Sequence, residues 1–191
     1  MEDGIMKNYY ILTDMPDEYR TFIQIYRLKK EMWTETVSRN SYEAPPGKYP
    51  EQFLPILLKL DGKANQKISD ITARLSPFFV FSDKAVKTLN DCLLNYGEFM
   101  DIETNRKGFC GYRVTKVLSK EVLDINSVAL KEFENGIFLE GDPCFLFDKI
   151  EKFDIFSLKE IPLTVFVSQN FKNLVLESKL EGFKFKEVKV V

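Results

Sequence analysis

The sequence contains no histidine, and this absence excludes several classes of enzyme. A Ser-His-Asp or Cys-His pair needs an imidazole as its general base, so neither can exist in this chain. Zinc and iron sites that depend on histidine ligands are excluded for the same reason. An enzyme with this sequence would have to work with carboxylates, lysine, tyrosine or cysteine alone.

Cysteine is scarce, with three residues at positions 92, 110 and 144. Three thiolates are too few for a four-cysteine zinc site, and their spacing matches no metal or redox motif. An odd number of cysteines is typical of a reducing compartment, where each thiol packs as a small apolar side chain. We therefore predict free, buried cysteines, no metal ion and no cofactor.

Long apolar runs are also missing. The longest stretch without a charged residue is Ile161–Phe171, with 11 residues, which is about half of what a membrane-spanning helix needs. Residues Met1–Gly4 are acidic where a secretory signal peptide would be basic. We expect no membrane association and a cytoplasmic protein.

Aromatic residues are abundant, with 17 Phe, 8 Tyr and 1 Trp among 191 residues. With 45% apolar residues, a chain of this length can bury an aromatic-rich core without disulfides or metals. We predict one domain over residues 1–191. Residues 1–72 have a less regular pattern, and they form either part of the same body or an N-terminal sub-lobe beside residues 73–191.

Two segments follow one plan, which is a short apolar strand, a serine, an amphipathic helix, a glycine and a second strand. The first runs from the strand Phe78–Ser82 to Gly97, and the second from the strand 164–168 to Gly182. Serine is a preferred N-cap, and glycine is preferred at C′, where φ is positive. The plan predicts an α+β fold in which mixed or antiparallel sheets back two amphipathic helices. Duplication would explain the likeness, but we favour two units that independently obey the same capping rules.

The stretch between the two helices is rich in predicted strands. Asn135-Gly136, a two-residue loop favoured by type I′ hairpins, separates apolar runs at 128–134 and 137–140. The pattern also predicts one continuous strand over 98–104 and another over 109–118. These strands complete the predicted sheets.

Acidic residues are concentrated in one part of the chain. Residues 121–160 carry ten acidic and four basic side chains, whereas the whole chain has a net charge of −2. This balance argues against general nucleic-acid binding. Because turns and loops expose side chains to partners, we predict that the acidic stretch contacts a basic protein; the alternative is a merely solvated surface. The candidate partner-binding residues are Glu132, Glu134, Glu140, Asp142, Asp148, Glu151 and Asp154.

Two further chemistries have weaker support. Basic and aromatic residues occur together at Arg106, Lys107, Tyr112, Arg113 and Lys116. They could form a platform for nucleic acid, but a strand with its basic side chains on the solvent face explains them equally well. The acidic residues could supply a catalytic carboxylate pair, yet a chain with 29 acidic residues offers such pairs by chance.

The order of several short motifs carries a further signal. The chain has Met6–Leu12 at its first predicted strand, Phe79–Ala85 at a strand-to-helix junction, and then Asp154–Leu158, Phe166–Phe171 and Gly182–Phe185. In this order the motifs resemble the immunity-eleven family, bacterial immunity proteins of polymorphic toxin systems. The likeness covers residues 78–191.

The resemblance implies a small protein that binds a cognate toxin and blocks it without catalysis. The matching residues are mostly apolar residues, serines and glycines with structural roles, such as Phe166, Ser168 and Gly182, so they do not mark the interface. Two other functions stay open, a non-catalytic adaptor or regulatory module and, less favoured, a carboxylate-based enzyme. Neither alternative changes the predicted fold.

Overall fold

The computed structural model describes residues 8–25, 56–73, 78–133 and 136–191. These residues form four β-sheets and three α-helices, which confirms the predicted α+β fold with mixed and antiparallel sheets. The helices are α1 (Asp83–Leu94), α2 (Phe147–Ile150) and α3 (Gln169–Glu177).

The largest sheet has six strands, and its middle strand comes from the beginning of the chain. Its strands, in spatial order, are β12 (Cys144–Phe145), β15 (Phe183–Val190), β1 (Tyr9–Asp14), β14 (Ile161–Ser168), β13 (Ile155–Leu158) and β9 (Val117–Leu118). The outer pairs β12/β15 and β9/β13 are parallel, and the inner pairs are antiparallel.

Three smaller sheets complete the described fold. The four-stranded sheet is antiparallel, with β4 (Ile71–Thr72), β5 (Phe78–Ser82), β8 (Phe109–Val114) and β6 (Gly97–Met100) in spatial order. The three-stranded sheet contains β2 (Thr21–Gln24), β3 (Ile56–Asp61) and β7 (Ile102–Thr104). The remaining sheet is a hairpin of β10 (Ala129–Phe133) and β11 (Gly136–Glu140).

Both predicted serine caps are present. The Ser82 hydroxyl accepts the N–H of Ala85 at 3.1 Å, and the Ser168 hydroxyl accepts the N–H of Phe171 at the same distance. Each hydroxyl also donates to an aspartate at 2.5 Å, Asp70 in the first case and Asp154 in the second. Each helix therefore starts at a serine that is hydrogen-bonded on both sides.

The order of strands around the two helices is also the same. In the first unit, Asp70–Met100, the antiparallel pair β4–β5 leads into α1 and β6, and β8 lies between β5 and β6. In the second unit, Asp154–Val190, the antiparallel pair β13–β14 leads into α3 and β15, and β1 lies between β14 and β15. Each unit is a split β-α-β motif whose gap is filled by an antiparallel strand from elsewhere in the chain.

Neither predicted glycine lies at C′, although Gly182 has the predicted positive φ, at 85°. Gly97 does not have a positive φ; instead it begins β6, where a Cβ would lie 2.2 Å from the Tyr112 ring. Helix α3 ends earlier than predicted, and Lys179, with a φ of 51°, adopts the left-handed conformation at C′. The N–H of Leu180 donates to the Val175 carbonyl at 3.0 Å, which is the 6→1 bond of a Schellman motif.

Three predicted strand boundaries also differ. The predicted strand 109–118 divides into β8, in the four-stranded sheet, and β9, in the six-stranded sheet. The predicted strand 98–104 divides at Asp101, because β6 pairs with β8 whereas β7 joins the three-stranded sheet. The hairpin is present, but Gly136 is paired with Phe133 and so belongs to the strand and not to the loop. Residues 134 and 135, between these strands, lie outside the described residues.

Strand alternation places side chains in three cores, because both faces of the two larger sheets are covered. The central core contains both long helices and the facing sides of these sheets, including Phe79, Phe81, Val165 and Val167. The outer core lies on the other side of the six-stranded sheet and includes Phe156 and Phe166. The third core joins the four-stranded sheet to the three-stranded sheet through Phe78 and Val80 with β2 and β3.

The cap and the positive φ in the second unit lead to a stability prediction. Ser168→Ala should lower the free energy of unfolding by about 1 kcal/mol, because the N–H of Phe171 loses its acceptor. Gly182→Val should cost more, about 3 kcal/mol, because Gly182 has a φ of 85° and a Cβ there would lie 1.9 Å from the Ser69 hydroxyl oxygen. Urea unfolding monitored by circular dichroism measures both changes.

The matched control is Ser82→Ala, which removes the equivalent cap of α1 and should cost a similar amount. An unchanged unfolding midpoint for either cap variant would contradict the assignment of these serines as N-caps.

Candidate partner-binding surface

The acidic candidates lie mainly on one layer of the fold. This layer, residues 119–133, 136–143 and 146–153, covers the outer core and contains the 3-10 turn Lys120–Val122, the hairpin β10–β11 and helix α2. It is anchored by apolar side chains such as Leu123, Leu139 and Ile150, which are buried in the outer core. We call it the outer layer.

Five of the seven candidates are exposed on the outer layer, and three of these form ion pairs. Glu140 pairs with Lys131 at 2.8 Å, Asp142 with Lys186 at 2.7 Å, and Asp148 with Lys149 at 3.2 Å. All six side chains are more than half exposed, so each pair contributes little to stability. Their carboxylates stay accessible to solvent.

Two exposed candidates differ from the others. Glu132, on β10, and Glu151, directly after α2, are exposed, and neither forms an ion pair with another described residue. Their charges are therefore not offset by an adjacent ammonium group within the part of the chain that the structure describes. The candidate Glu134 lies outside the described residues.

Asp154 has a different environment from the other candidates. It is half-buried at the start of the second unit, where its carboxylate accepts hydrogen bonds from the Ser168 hydroxyl at 2.5 Å and from the Asn170 side chain at 3.2 Å. The negative charge of Asp154 also helps to raise the pKa of the nearby Tyr96 hydroxyl, after the larger effect of burial. This carboxylate is engaged in positioning α3 and is therefore less available to a partner than the exposed candidates.

The residues considered for a nucleic-acid platform do not form one. Tyr112 and Arg113 are fully buried, so they lie neither on a platform nor on a solvent face. Arg113 forms an ion pair with Glu98 at 2.6 Å, across the β6–β8 pair in which the two residues face each other. The alternation of residues in the sequence did not predict the burial of Arg113, because a charged strand residue is normally assigned to the solvent-exposed face. In this sheet both faces are covered.

The other basic residues considered for the nucleic-acid platform, Arg106, Lys107 and Lys116, lie at separate places. Arg106 and Lys107 lie at an exposed turn before β8. Lys116 instead packs over the ring of Phe153, with its ammonium nitrogen 4.5 Å from the ring centre. Lys152 approaches the same ring at 5.3 Å, so these two cations are used in packing against an aromatic side chain of the outer core.

Four of the described carboxylate candidates are engaged in other contacts. Acid–base catalysis needs two such groups that face one reacting atom. Here Glu140, Asp142 and Asp148 each contact a lysine at the surface, and Asp154 accepts a hydrogen bond from Ser168, the N-cap of α3. Within the described ranges, no group of three or more Cys, Asp or Glu residues could hold a metal ion. In the same part of the chain, no helix is long and apolar enough to cross a membrane.

The cysteines are free, and two of them, Cys92 and Cys144, are buried as predicted. Burial and the nearby charge of Asp154 raise the pKa of the Cys92 thiol to about 12. Cys110 is half-buried, and burial raises the pKa of its thiol to about 11. Because the thiolate is the nucleophile, neither residue has the environment of a reactive cysteine.

The thiol environments predict an order of chemical labelling. In the native protein at pH 8, Cys110 should react first, because part of its side chain reaches solvent. The labelling rate of Cys92 should be lower than that of Cys110 by a factor of about 100 or more. The rate of each should still rise between pH 8 and pH 10, because a raised pKa moves the formation of thiolate to higher pH. Mass spectrometry of labelled peptides measures the rates, and fast labelling of Cys92 would contradict its placement.

The comparisons with known proteins concern the same half of the chain that carries the outer layer. No curated protein matches the chain. The model of the immunity protein family Imm11 matches residues 114–190. These residues contain the outer layer and the second unit, but not strand β1, which is inserted between β14 and β15. The resemblance inferred from the sequence is therefore confirmed over residues 114–190, where the chain is similar to the Imm11 immunity protein family.

Proposed function

We propose that this protein is an immunity protein that binds a cognate bacterial toxin and neutralises it by protein–protein contact. The observation that carries the proposal is the match of residues 114–190 to an immunity protein family. The toxin would be the product of a neighbouring gene. An adaptor or regulatory module with a different partner is the alternative, and no specific observation favours it.

The outer layer is the surface that we assign to the toxin. It lies within the matching segment, and its exposed candidates are Glu132, Glu140, Asp142, Asp148 and Glu151. The strands β1 and β13 of the underlying sheet, by contrast, have most of their side chains buried in cores on both faces. The outer layer can therefore change its exposed residues without changing the fold, which suits a surface that must fit one particular toxin.

The charge of this surface favours a basic partner. A toxin that acts on nucleic acid needs a positive surface to bind phosphates, and residues 119–153 of the sequence carry eight acidic side chains against four basic ones. Charge complementarity of this kind increases the rate of association and is screened by salt. Blocking a basic substrate-binding surface would stop the toxin without any catalytic step.

The charge-based part of this proposal predicts an effect on association. Reversing Glu132, Asp148 and Glu151 to lysine should slow association with the toxin about tenfold at low salt, and should flatten the dependence of the rate on salt. These three side chains are exposed, so the variant should fold normally. Stopped-flow or surface-based kinetics at two salt concentrations measure the rates.

The matched control reverses Arg106 and Lys107, which are exposed at a turn outside the outer layer. Lys107→Glu with Arg106→Glu should leave the association rate nearly unchanged. Lys116 is unsuitable as a control because it packs over Phe153. An unchanged rate for the acidic variant, or a larger effect from the basic variant, would refute the role of the outer layer. A wild-type protein that does not bind the toxin would refute the proposed function itself.

A further inference from the structure

We propose that the two units and the outer layer form one cooperative folding unit, and that strand β1 is the element that joins them. The inference concerns the folding of the chain and does not depend on its proposed function. It implies that the segment matching the family model is not a module that folds alone.

The first argument is the position of β1 in the six-stranded sheet. On one side, Tyr9, Tyr10 and Ile11 pair with β14, and on the other side all of β1 pairs with β15. Residues 114–190 supply both neighbours but not this strand. Without β1, two long strands would lose their pairing along the middle of the sheet, and their backbone groups would need other partners.

The second argument is that the side chains of β1 enter two cores. Tyr9 is buried in the outer core, where its hydroxyl donates to the Ile150 carbonyl at 2.7 Å and lies 3.1 Å from the Phe153 carbonyl. Tyr10 and Leu12 point to the opposite face and are buried in the central core. The same strand therefore fixes the outer layer from one face and packs against both long helices from the other.

The third argument is that β1 also reaches the four-stranded sheet. Asp14, at its end, accepts the N–H of Ala73 at 2.9 Å, directly after β4. The carboxylate of Asp14 is nearly buried, with 8% of the residue exposed. A hydrogen bond from a buried amide to a charged acceptor is costly to lose. One strand thus contacts both units.

The fourth argument is that the two units are joined again at the ends of their helices. Lys84, at the start of α1, donates to the Lys179 carbonyl after α3 at 2.8 Å. Asp70 and Glu181 exchange two hydrogen bonds, with the Asp70 N–H on the Glu181 carbonyl at 3.0 Å and the Glu181 N–H on the Asp70 carboxylate at 2.8 Å. Opening one unit would break these contacts and expose the shared central core.

Two native cysteines allow a direct test in the full chain. Cys92 lies on α1 in the first unit, and Cys144 lies on β12 beside the second unit; each is 2% exposed. In denaturant concentrations below the unfolding transition, where partial openings can contribute to labelling, the labelling rate of each thiol reports the opening of its own surroundings. Mass spectrometry of the two peptides gives the two rates from one sample.

Two variants perturb opposite sides of the molecule. Tyr9→Phe removes the hydroxyl that contacts the outer layer, and Val80→Ala makes a small cavity in the third core, far from Cys144 in the fold. In each variant both thiols should label faster by the same factor, about tenfold. Leu176→Ala is the control, because Leu176 is 59% exposed on α3, and it should leave both rates unchanged.

The outcome that overturns the proposal is a difference between the thiols. If Tyr9→Phe accelerates the labelling of Cys144 alone, or Val80→Ala accelerates the labelling of Cys92 alone, the two units open separately. If Tyr9→Phe accelerates neither thiol, β1 does not hold the halves together. Equal acceleration in both variants supports a single cooperative unit.

Discussion

The contact between an aspartate and a serine at the start of each long helix is the constraint on which the arrangement of both units depends. The serine hydroxyl accepts a helix N–H and donates to the carboxylate, so one small group connects a helix to the strand pair that precedes it. The N–H of each serine also donates to the carbonyl of the same aspartate at 3.0 Å. A hydrogen bond to an ionised acceptor is stronger than one between neutral groups. Each helix is therefore held in both position and direction at its first turn, in addition to the packing of its apolar face.

The repetition of this contact bears on the origin of the two units. Capping rules explain why a serine precedes each helix, but they require neither an aspartate directly before the first strand of the unit nor the same spatial order of strands. Both are shared by Asp70–Met100 and Asp154–Val190. The structure thus favours a duplicated unit over the independent origin that the sequence suggested. The inserted strands differ in their position along the chain, because β8 follows the first unit whereas β1 precedes the second.

The sequence predicted local features well where one rule dominates. Ser82 and Ser168 were identified as N-caps because serine before an amphipathic helix has few other roles. Gly97 and Gly182 were misassigned because glycine serves several purposes, and only the fold shows that Gly97 lies against the Tyr112 ring. Lys179 at C′ could not be foreseen, since a lysine with positive φ is unusual and leaves no signal in the pattern.

Long-range placement was harder to predict for a physical reason. Strand pairing depends on partners that are distant in the chain, so neither the position of β1 between β14 and β15 nor the division of 98–104 between two sheets can be found from periodicity. The same limit applies to Arg113, whose burial depends on the three-stranded sheet that covers its side of the four-stranded sheet. Among the acidic candidates, charge alone could not separate Asp154, which accepts a hydrogen bond from the N-cap serine of α3, from exposed residues such as Glu132.

These placements separate the parts of the molecule that maintain the fold from the part that is free to vary. The two units use both faces of their sheets for cores, so a substitution there changes packing before it changes any surface. The outer layer uses one side for the outer core and leaves the other to solvent. Its exposed lysine–carboxylate pairs are energetically weak, so reversing or removing a charge costs little stability. A binding surface of this kind can follow changes in a partner while Asp154, Ser168 and the apolar strands beneath it stay constant.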